Sequence, residues 1–292
     1  MIINGVELIS VNDGFFGLDG GAMFGVVPKP LWHKAAPADD RNRIRLGTNA
    51  LLVREAGRVV LVDCGIGDRW DEKGADIYKI EKPDGGLVQD LGRWGLAPGD
   101  ITDQVVSHQH FDHQGGATVR QDGRVRPTFP SAVYHYQRRQ MAWARTPTAK
   151  DRGSYRPDDF EPVVGCGQAL IHQGDYALTP SVWVEQSHGH TPGLQLVHVQ
   201  TGSFHLVYCA DLIPLAPHVR LPYIMGYDVQ PLVTLEEKQS LLARAAREGW
   251  YLYLEHDPQW VAVTVEATGD DFAVSARLGR EAFNAPASQQ VV

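Results

Sequence analysis

Apolar residues recur at alternate positions in several short runs of this chain, and each such run predicts a half- or fully buried strand. NALLVREAGRVVLVDCG contains two β-rich runs, residues 50–53 and 59–62, and their junction at residues 55–57 predicts a hairpin turn. QVVSH, residues 104–108, predicts a strand entered from the turn LAPGDIT. SVWVEQS (181–187), LQLVHV (194–199) and FHLVYCAD (204–211) predict three more, and YLYLEH predicts a last one ending at His256. Helical patterns fall between the runs. Residues 86–94 predict a short helix, and TLEEKQSLLARAAREGW, 234–250, a long one. Thr234 and Glu237 have the spacing of a capping box, Arg244 and Arg247 lie near the far end, and Gly249 can stop the helix in the left-handed conformation. Alternating strands and helices place the chain in the α/β class. Polar residues repeatedly follow the ends of the strands, where such folds present functional groups.

Composition narrows this picture. The chain has 292 residues, of which 43% are hydrophobic, enough for a substantial core. No low-complexity linker or repeat divides it, so one domain over residues 1–292 is expected, with a loose tail at 283–292. Three widely spaced cysteines, Cys64, Cys166 and Cys209, supply neither a disulfide framework nor a CxxC zinc knuckle, which fits a reducing compartment. The opening MIINGVELISVNDG lacks a basic segment followed by an apolar run, and no stretch approaches the ~20 apolar residues of a membrane span. A cytoplasmic protein is therefore expected. Net charge is −8 with scattered lysines and arginines, which disfavours a nucleic-acid partner.

The chemistry concentrates in SHQHFDHQGG, residues 107–116. His108 and His110 differ by two, so at the end of an extended segment they project to one side. Asp112 and His113 follow at once, and the Gly115-Gly116 pair allows the backbone to turn sharply. Imidazoles and carboxylates suit a borderline or hard divalent metal, and the lack of a nearby cysteine argues against a thiolate structural site. Unrelated surface histidines would produce this spacing by chance in a chain of this length only about once in a thousand.

HQHFDH with its Gly-Gly, then SHGHTPG, YCAD and LEHD, in that order across nearly the whole chain, resemble the metallo-β-lactamase superfamily. The resemblance implies an αββα sandwich of two packed mixed sheets flanked by helices, with a metal site at the sheet edge. It implies that His108, His110 and His190 hold one metal, that Asp112, His113 and His256 hold a second, and that Asp211 bridges them. It favours His190, directly before Thr-Pro-Gly, over His188. Asp63, at the end of VVLVDCG, matches a frequent family aspartate that orients a ligand rather than serving as one. Two divalent ions are implied, zinc foremost, with manganese, iron or cobalt as alternatives. His33, His135, His172, His198 and His205 have no partner motif and are expected to be packing or surface residues.

The superfamily catalyses many reactions, so the fold does not choose the substrate. DGFFGLDGGAMFGVVPKPLW, residues 13–32, is rich in glycine and apolar side chains, and its GGAMFGVVPKPLW portion resembles the branch containing N-acyl homoserine lactone lactonases. The resemblance implies an N-terminal substrate-covering loop near 13–45, with Phe15, Phe16, Met23, Phe24 and Trp32 against an acyl chain. His218, in APHVRLPYIMGYD, is a further candidate for substrate contact. Lactonases of this branch often have a tyrosine three residues after the bridging aspartate, where this chain has Pro214. Tyr223 or Tyr227 could supply the missing hydroxyl. The expectation is a dinuclear metallohydrolase in which a metal-bridging hydroxide opens a lactone, with Asp112 and Asp211 in catalytic roles and N-acyl homoserine lactones, in quorum quenching, as the foremost substrates. A phosphotriesterase or arylesterase, a glyoxalase II-like thioesterase and a non-catalytic metal-binding protein are the alternatives. Its partner would be a small molecule, and the apolar N-terminal segment could also bury against a second copy in a homodimer.

Overall fold

Along the strand Arg43–Glu55, Leu51 and Val53 enter one apolar cluster while Ala50 and Leu52 enter another. This strand is buried on both faces because a layer covers each. The same division holds in Arg58–Val62, where Val60 and Val62 face one way and Leu61 the other. A computed structural model describes residues 1–285, and in it these strands belong to a seven-stranded mixed sheet. From one edge its order is Ile2–Ile3, Val6–Asp19, Arg43–Glu55, Arg58–Val62, Asp103–Val105, Val133–Gln137 and Ala169–His172. The first four pair antiparallel and the rest parallel.

A second seven-stranded sheet runs Tyr176–Ala177, Val182–Ser187, Leu194–Thr201, Phe204–Tyr208, Tyr251–Tyr253, Ala262–Thr268 and Asp271–Leu278. It is antiparallel except where Phe204–Tyr208 meets Tyr251–Tyr253. The two sheets pack face to face, with Leu8, Leu51 and Val105 of the first in the same cluster as Val184, Leu196 and Leu206 of the second. Helices cover the outer faces. Leu87–Arg93 lies on the strand Val6–Asp19, and Pro231–Glu248 lies on the second sheet. The αββα sandwich expected from the sequence is the fold observed. Among the described residues, no helix is long and apolar enough to cross a membrane.

Several local expectations change. The long helix begins at Pro231, not Thr234, so Thr234 lies inside it and its N–H reaches Gln230 O. No capping box forms. Glu237 instead accepts from the backbone N–H of His188 at 2.8 Å and of Gly189 at 3.0 Å, and from Ser187 Oγ at 2.6 Å. Gly249 does end the helix, at φ 70°. The covering loop near 13–45 is largely ordered structure. Phe15 and Phe16 belong to the strand Val6–Asp19, and two short helices, Gly20–Phe24 and Lys29–Trp32, lead into Arg43–Glu55. The tail expected at 283–292 starts as a packed helix, Arg280–Asn284, with Phe283 buried and Asn284 bonded to Ser10. The rest of it, 286–292, lies outside the described residues.

Candidate metal centre

Five strands end on the same edge of the sandwich, and every metal-ligand candidate follows one of those ends. Arg58–Val62 delivers Asp63, Asp103–Val105 leads to His108 and His110, and Val182–Ser187 leads to His190. Phe204–Tyr208 and Tyr251–Tyr253 deliver Asp211 and His256. Asp63 adopts φ 55° and accepts from Ser107 twice, at 2.6 Å from the backbone N–H and 2.6 Å from Oγ. This ties the start of the histidine loop to the neighbouring strand. The helical turn Phe111–Gln114 then carries Asp112 and His113 inward. Gly115 and Gly116 serve close approach rather than a sharp turn. Gly115 has helical dihedrals, and a Cβ there would lie 2.2 Å from Ile66 O, while one on Gly116 would lie 2.1 Å from Cys64 O.

His108, His110, His190 and Asp211 form one buried group whose ligand atoms all lie within 4.8 Å, and Asp112, His113 and His256 form another. His110 Nδ1 is 2.9 Å from His108 Nε2 and 3.2 Å from His190 Nε2. Asp211 stands between the groups. Its Oδ2 is 3.1 Å from His190 Nε2, and its Oδ1 is 3.1 Å from His256 Nε2.

The outward nitrogens are held by acceptors, which turns the opposite nitrogen toward the centre. His190 Nδ1 donates to Asp228 at 2.8 Å, and His256 Nδ1 donates to Gly47 O at 2.8 Å. Ser107 Oγ gives its proton to Asp63 and is left to accept from His108 Nδ1 at 3.0 Å. His113 Nδ1 faces two carboxylates, Glu255 at 2.7 Å and Asp63 at 3.1 Å. Asp63 therefore touches a ligand candidate from the side away from Asp211. His188 turns away, its Nδ1 accepting from the Gly193 N–H.

Burial shapes the electrostatics. It drives His108 and His110 well below the usual imidazole range, reinforced by neighbouring histidines. Burial pushes His256 the same way, but Asp211 outweighs it and raises the group to about 9. His113 is likewise raised against burial, by Glu255, Asp211 and Asp112. Burial lifts Glu255 to about 8.

These residues suit divalent cations. Asp63, Asp112, Asp211, Asp228 and Glu255 are all buried, and among the described residues no lysine or arginine forms an ion pair with any of them. Carboxylates buried with only imidazoles beside them are costly, and a divalent cation would offset that cost. His110 Nε2 is fully buried and also lacks a hydrogen-bond partner.

A cavity of about 150 Å³ opens over the cluster. His110, Asp112, His190, Asp211 and His256 form its polar part, and Leu18, Met23, Tyr78, Phe111 and Tyr227 are the large side chains of its walls. Of the residues expected to touch substrate, only Met23 and Tyr227 line this space. Phe24 and Trp32 are buried and stacked, with ring centroids 5.3 Å apart. His218 is buried against Phe24 and donates to Met23 O at 2.8 Å. Phe16 packs edge-on to His256, Phe15 lies under the Arg45 guanidinium, and Tyr223 faces a separate groove. Apolar character alone cannot say which aromatics face a cavity and which pack behind it.

Three supporting residues were missed in the sequence. Asp228 lies 38 positions from His190 and meets it only through folding. Glu255 adjoins His256, and neighbours on an extended strand point to opposite faces, but this segment has left the sheet. Glu237 was read as a helix cap although it secures the loop carrying His190. His135, bonded to Asp103 and His172, and His198, beside Glu185, lie outside the cluster, as expected for packing residues.

The chain is similar to several known proteins. Residues 43–256, which contain all seven ligand candidates, match the family described as the metallo-beta-lactamase superfamily. The N-acyl homoserine lactonase AttM of Azorhizobium caulinodans is 30% identical over 193 residues, 63% of this chain and 68% of that protein. A solved structure of a probable metal-dependent hydrolase from Staphylococcus aureus matches with TM-score 0.88 and 26% identity, covering 96% of this chain and 99% of its own. AidC, described as a dizinc quorum-quenching lactonase in complex with a product, matches with TM-score 0.78 and 21% identity over 94% and 95% of the two chains. At that identity, the likeness to AidC speaks for the fold alone.

Proposed function

The chain belongs to the metallo-beta-lactamase superfamily and is a metal-dependent hydrolase, and from that premise we propose that it opens lactone rings, N-acyl homoserine lactones foremost. The position of Asp211 carries the reading: each of its two oxygens faces a histidine of a different group, at the floor of a cavity with apolar walls. The name of the AttM relative supports the substrate class.

In this reading His108, His110 and His190 would hold one divalent ion and Asp112, His113 and His256 the other, with Asp211 standing beside both groups. Such a pair, zinc foremost, supplies a water acidic enough to be deprotonated near neutral pH and charge stabilisation for a developing oxyanion. The chain's own groups do the rest. Asp112 and Asp211 line the cavity; Asp112 can take the proton of the attacking water, while Asp211, whose two oxygens face His190 and His256, stays ionised between the groups. Tyr227 also lines it. Burial pushes its phenol up, so the hydroxyl stays protonated and can donate to the carbonyl or leaving oxygen. This gives Tyr227, rather than Tyr223, the role left open by Pro214. Leu18, Met23, Tyr78 and Phe111 pack around the apolar part of the ring.

The test is proton release by metal-reconstituted protein on N-hexanoyl homoserine lactone beside an aryl ester and a phosphotriester. Lactone turnover with kcat/KM near or above ~10⁴ M⁻¹s⁻¹, well ahead of the others, is the expected result. Faster hydrolysis of the ester or phosphotriester would retain the metal centre and overturn the substrate.

A further inference from the structure

Resting on the lactone reading, we infer that this site recognises its substrate at the reacting ring and leaves an acyl chain outside, so that compact lactones are served as well as long-chain ones. Pockets that bury drug-sized ligands run to about 300–1,000 Å³. The cavity here, about 150 Å³, is half the lower bound. It has room for roughly five water-sized groups. Five proposed ligands, His110, Asp112, His190, Asp211 and His256, line it, so that room includes the space the ions would take, and what is left admits the reacting edge of a lactone ring and no acyl chain.

The walls are braced from behind, which keeps the space small. Met23 is backed by the His218 hydrogen bond to its carbonyl, and its neighbour Phe24 is held between Trp32 and His218, whose ring centroids lie 5.3 Å and 4.8 Å away. The Gly226 N–H reaches Ala22 O at 2.8 Å, and a Cβ on Gly25 would lie 2.3 Å from Ile224 O, so the segments meet backbone to backbone. On another side Phe111 packs against Tyr78 at 4.7 Å and Trp70 at 5.3 Å. On a third, Lys150 Nζ donates to Tyr227 O at 2.9 Å and Asp228 O at 3.0 Å. Widening the cavity on any of these three sides would break packing; its remaining edge is the turn at Gly153 and Ser154, exposed at Gly153, which opens to solvent.

A larger groove of about 850 Å³ offers no second room for the chain. It shares no lining residue with the metal-site cavity. Tyr223 belongs to that groove and Met23 to the cavity, and between them Phe24 packs against Tyr223 and His218. An acyl chain crossing between Met23 and Tyr223 would displace a fully buried ring.

The experiment is a kcat/KM series on the metal-loaded protein with butanoyl, hexanoyl, octanoyl and decanoyl homoserine lactones and unacylated γ-butyrolactone, with binding of the ring-opened butanoyl and decanoyl products measured by calorimetry. Were each methylene buried, kcat/KM would rise about fourfold per carbon. Less than a tenfold spread in kcat/KM and in product affinity from butanoyl to decanoyl is expected. A larger rise in either overturns the inference, as does failure of γ-butyrolactone to turn over at all while the acylated lactones do. If metal-verified protein hydrolyses no lactone, the lactone reading falls. An aryl ester series from acetate to decanoate then decides the cavity question by the same tenfold criterion.

Discussion

Replacing Phe24 by alanine distinguishes a wall of the substrate site from a part of the core. Its ring has no solvent exposure and stacks on Trp32 and His218, with Tyr223 edge-on at 5.8 Å. Truncating a buried phenylalanine costs about 3–5 kcal/mol. Three aromatic neighbours favour the upper half of that range, because each loses a packed partner. At about 2–4 °C per kcal/mol for a chain of this size, the midpoint should fall by roughly 10 °C or more. Phe15 is the control. It is only partly buried, with the Arg45 guanidinium 3.5 Å from its ring centroid, and its truncation should cost about 1 kcal/mol. Thermal melts followed by circular dichroism at fixed zinc concentration measure both, since bound metal itself shifts the midpoint. Kinetics on hexanoyl and decanoyl substrates run alongside. A fall below 3 °C for Phe24→Ala, joined to a selective rise in KM for decanoyl lactone, would refute the reasoning and return Phe24 to an acyl-binding wall.

Asp228→Ala and Glu255→Gln should each weaken metal affinity by about 10–100-fold, read by chelator competition, because each removes a carboxylate that orients a histidine; unchanged affinity in both would show these contacts to be incidental. His110→Ala and Asp211→Asn should abolish hydrolysis and lower metal stoichiometry while far-ultraviolet circular dichroism is preserved; near-normal turnover in a metal-checked His110→Ala protein would sink the metal mechanism. Lys238 is fully buried, donates to Arg220 O and Tyr223 O, and is lowered by burial from 10.5 to about 7. Between those values the unfolded chain holds a proton that the folded protein has released, so this group makes stability rise with pH across the window, by at most about 1.4 kcal/mol per pH unit. Urea unfolding at pH 7.5, 8.5 and 9.5 should show that slope reduced in Lys238→Met, and identical slopes in the two proteins would contradict the assignment.

The metal-ligand candidates were legible in the sequence because their geometry is largely local. His108, His110, Asp112 and His113 follow one strand within six residues, and His190, Asp211 and His256 each follow another strand at the same edge. A strand's direction and its end are written in short-range pattern, so the sequence by itself placed the chemistry and the class of fold. Tertiary structure decided the surroundings. Met23 and Phe24 are adjacent and both apolar, yet one lines the cavity and the other is closed between rings. Glu237 carries a helix-cap spacing but spends its carboxylate on the loop of His190, because the helix starts three residues earlier and passes beside that loop. Tyr223 and Tyr227, four positions apart, face different cavities. Asp228 and Glu255 acquire their histidine partners only when distant segments meet. Periodicity tells a residue which side of its own element it occupies, but what covers that side is set by packing between elements, and packing has no short-range signature.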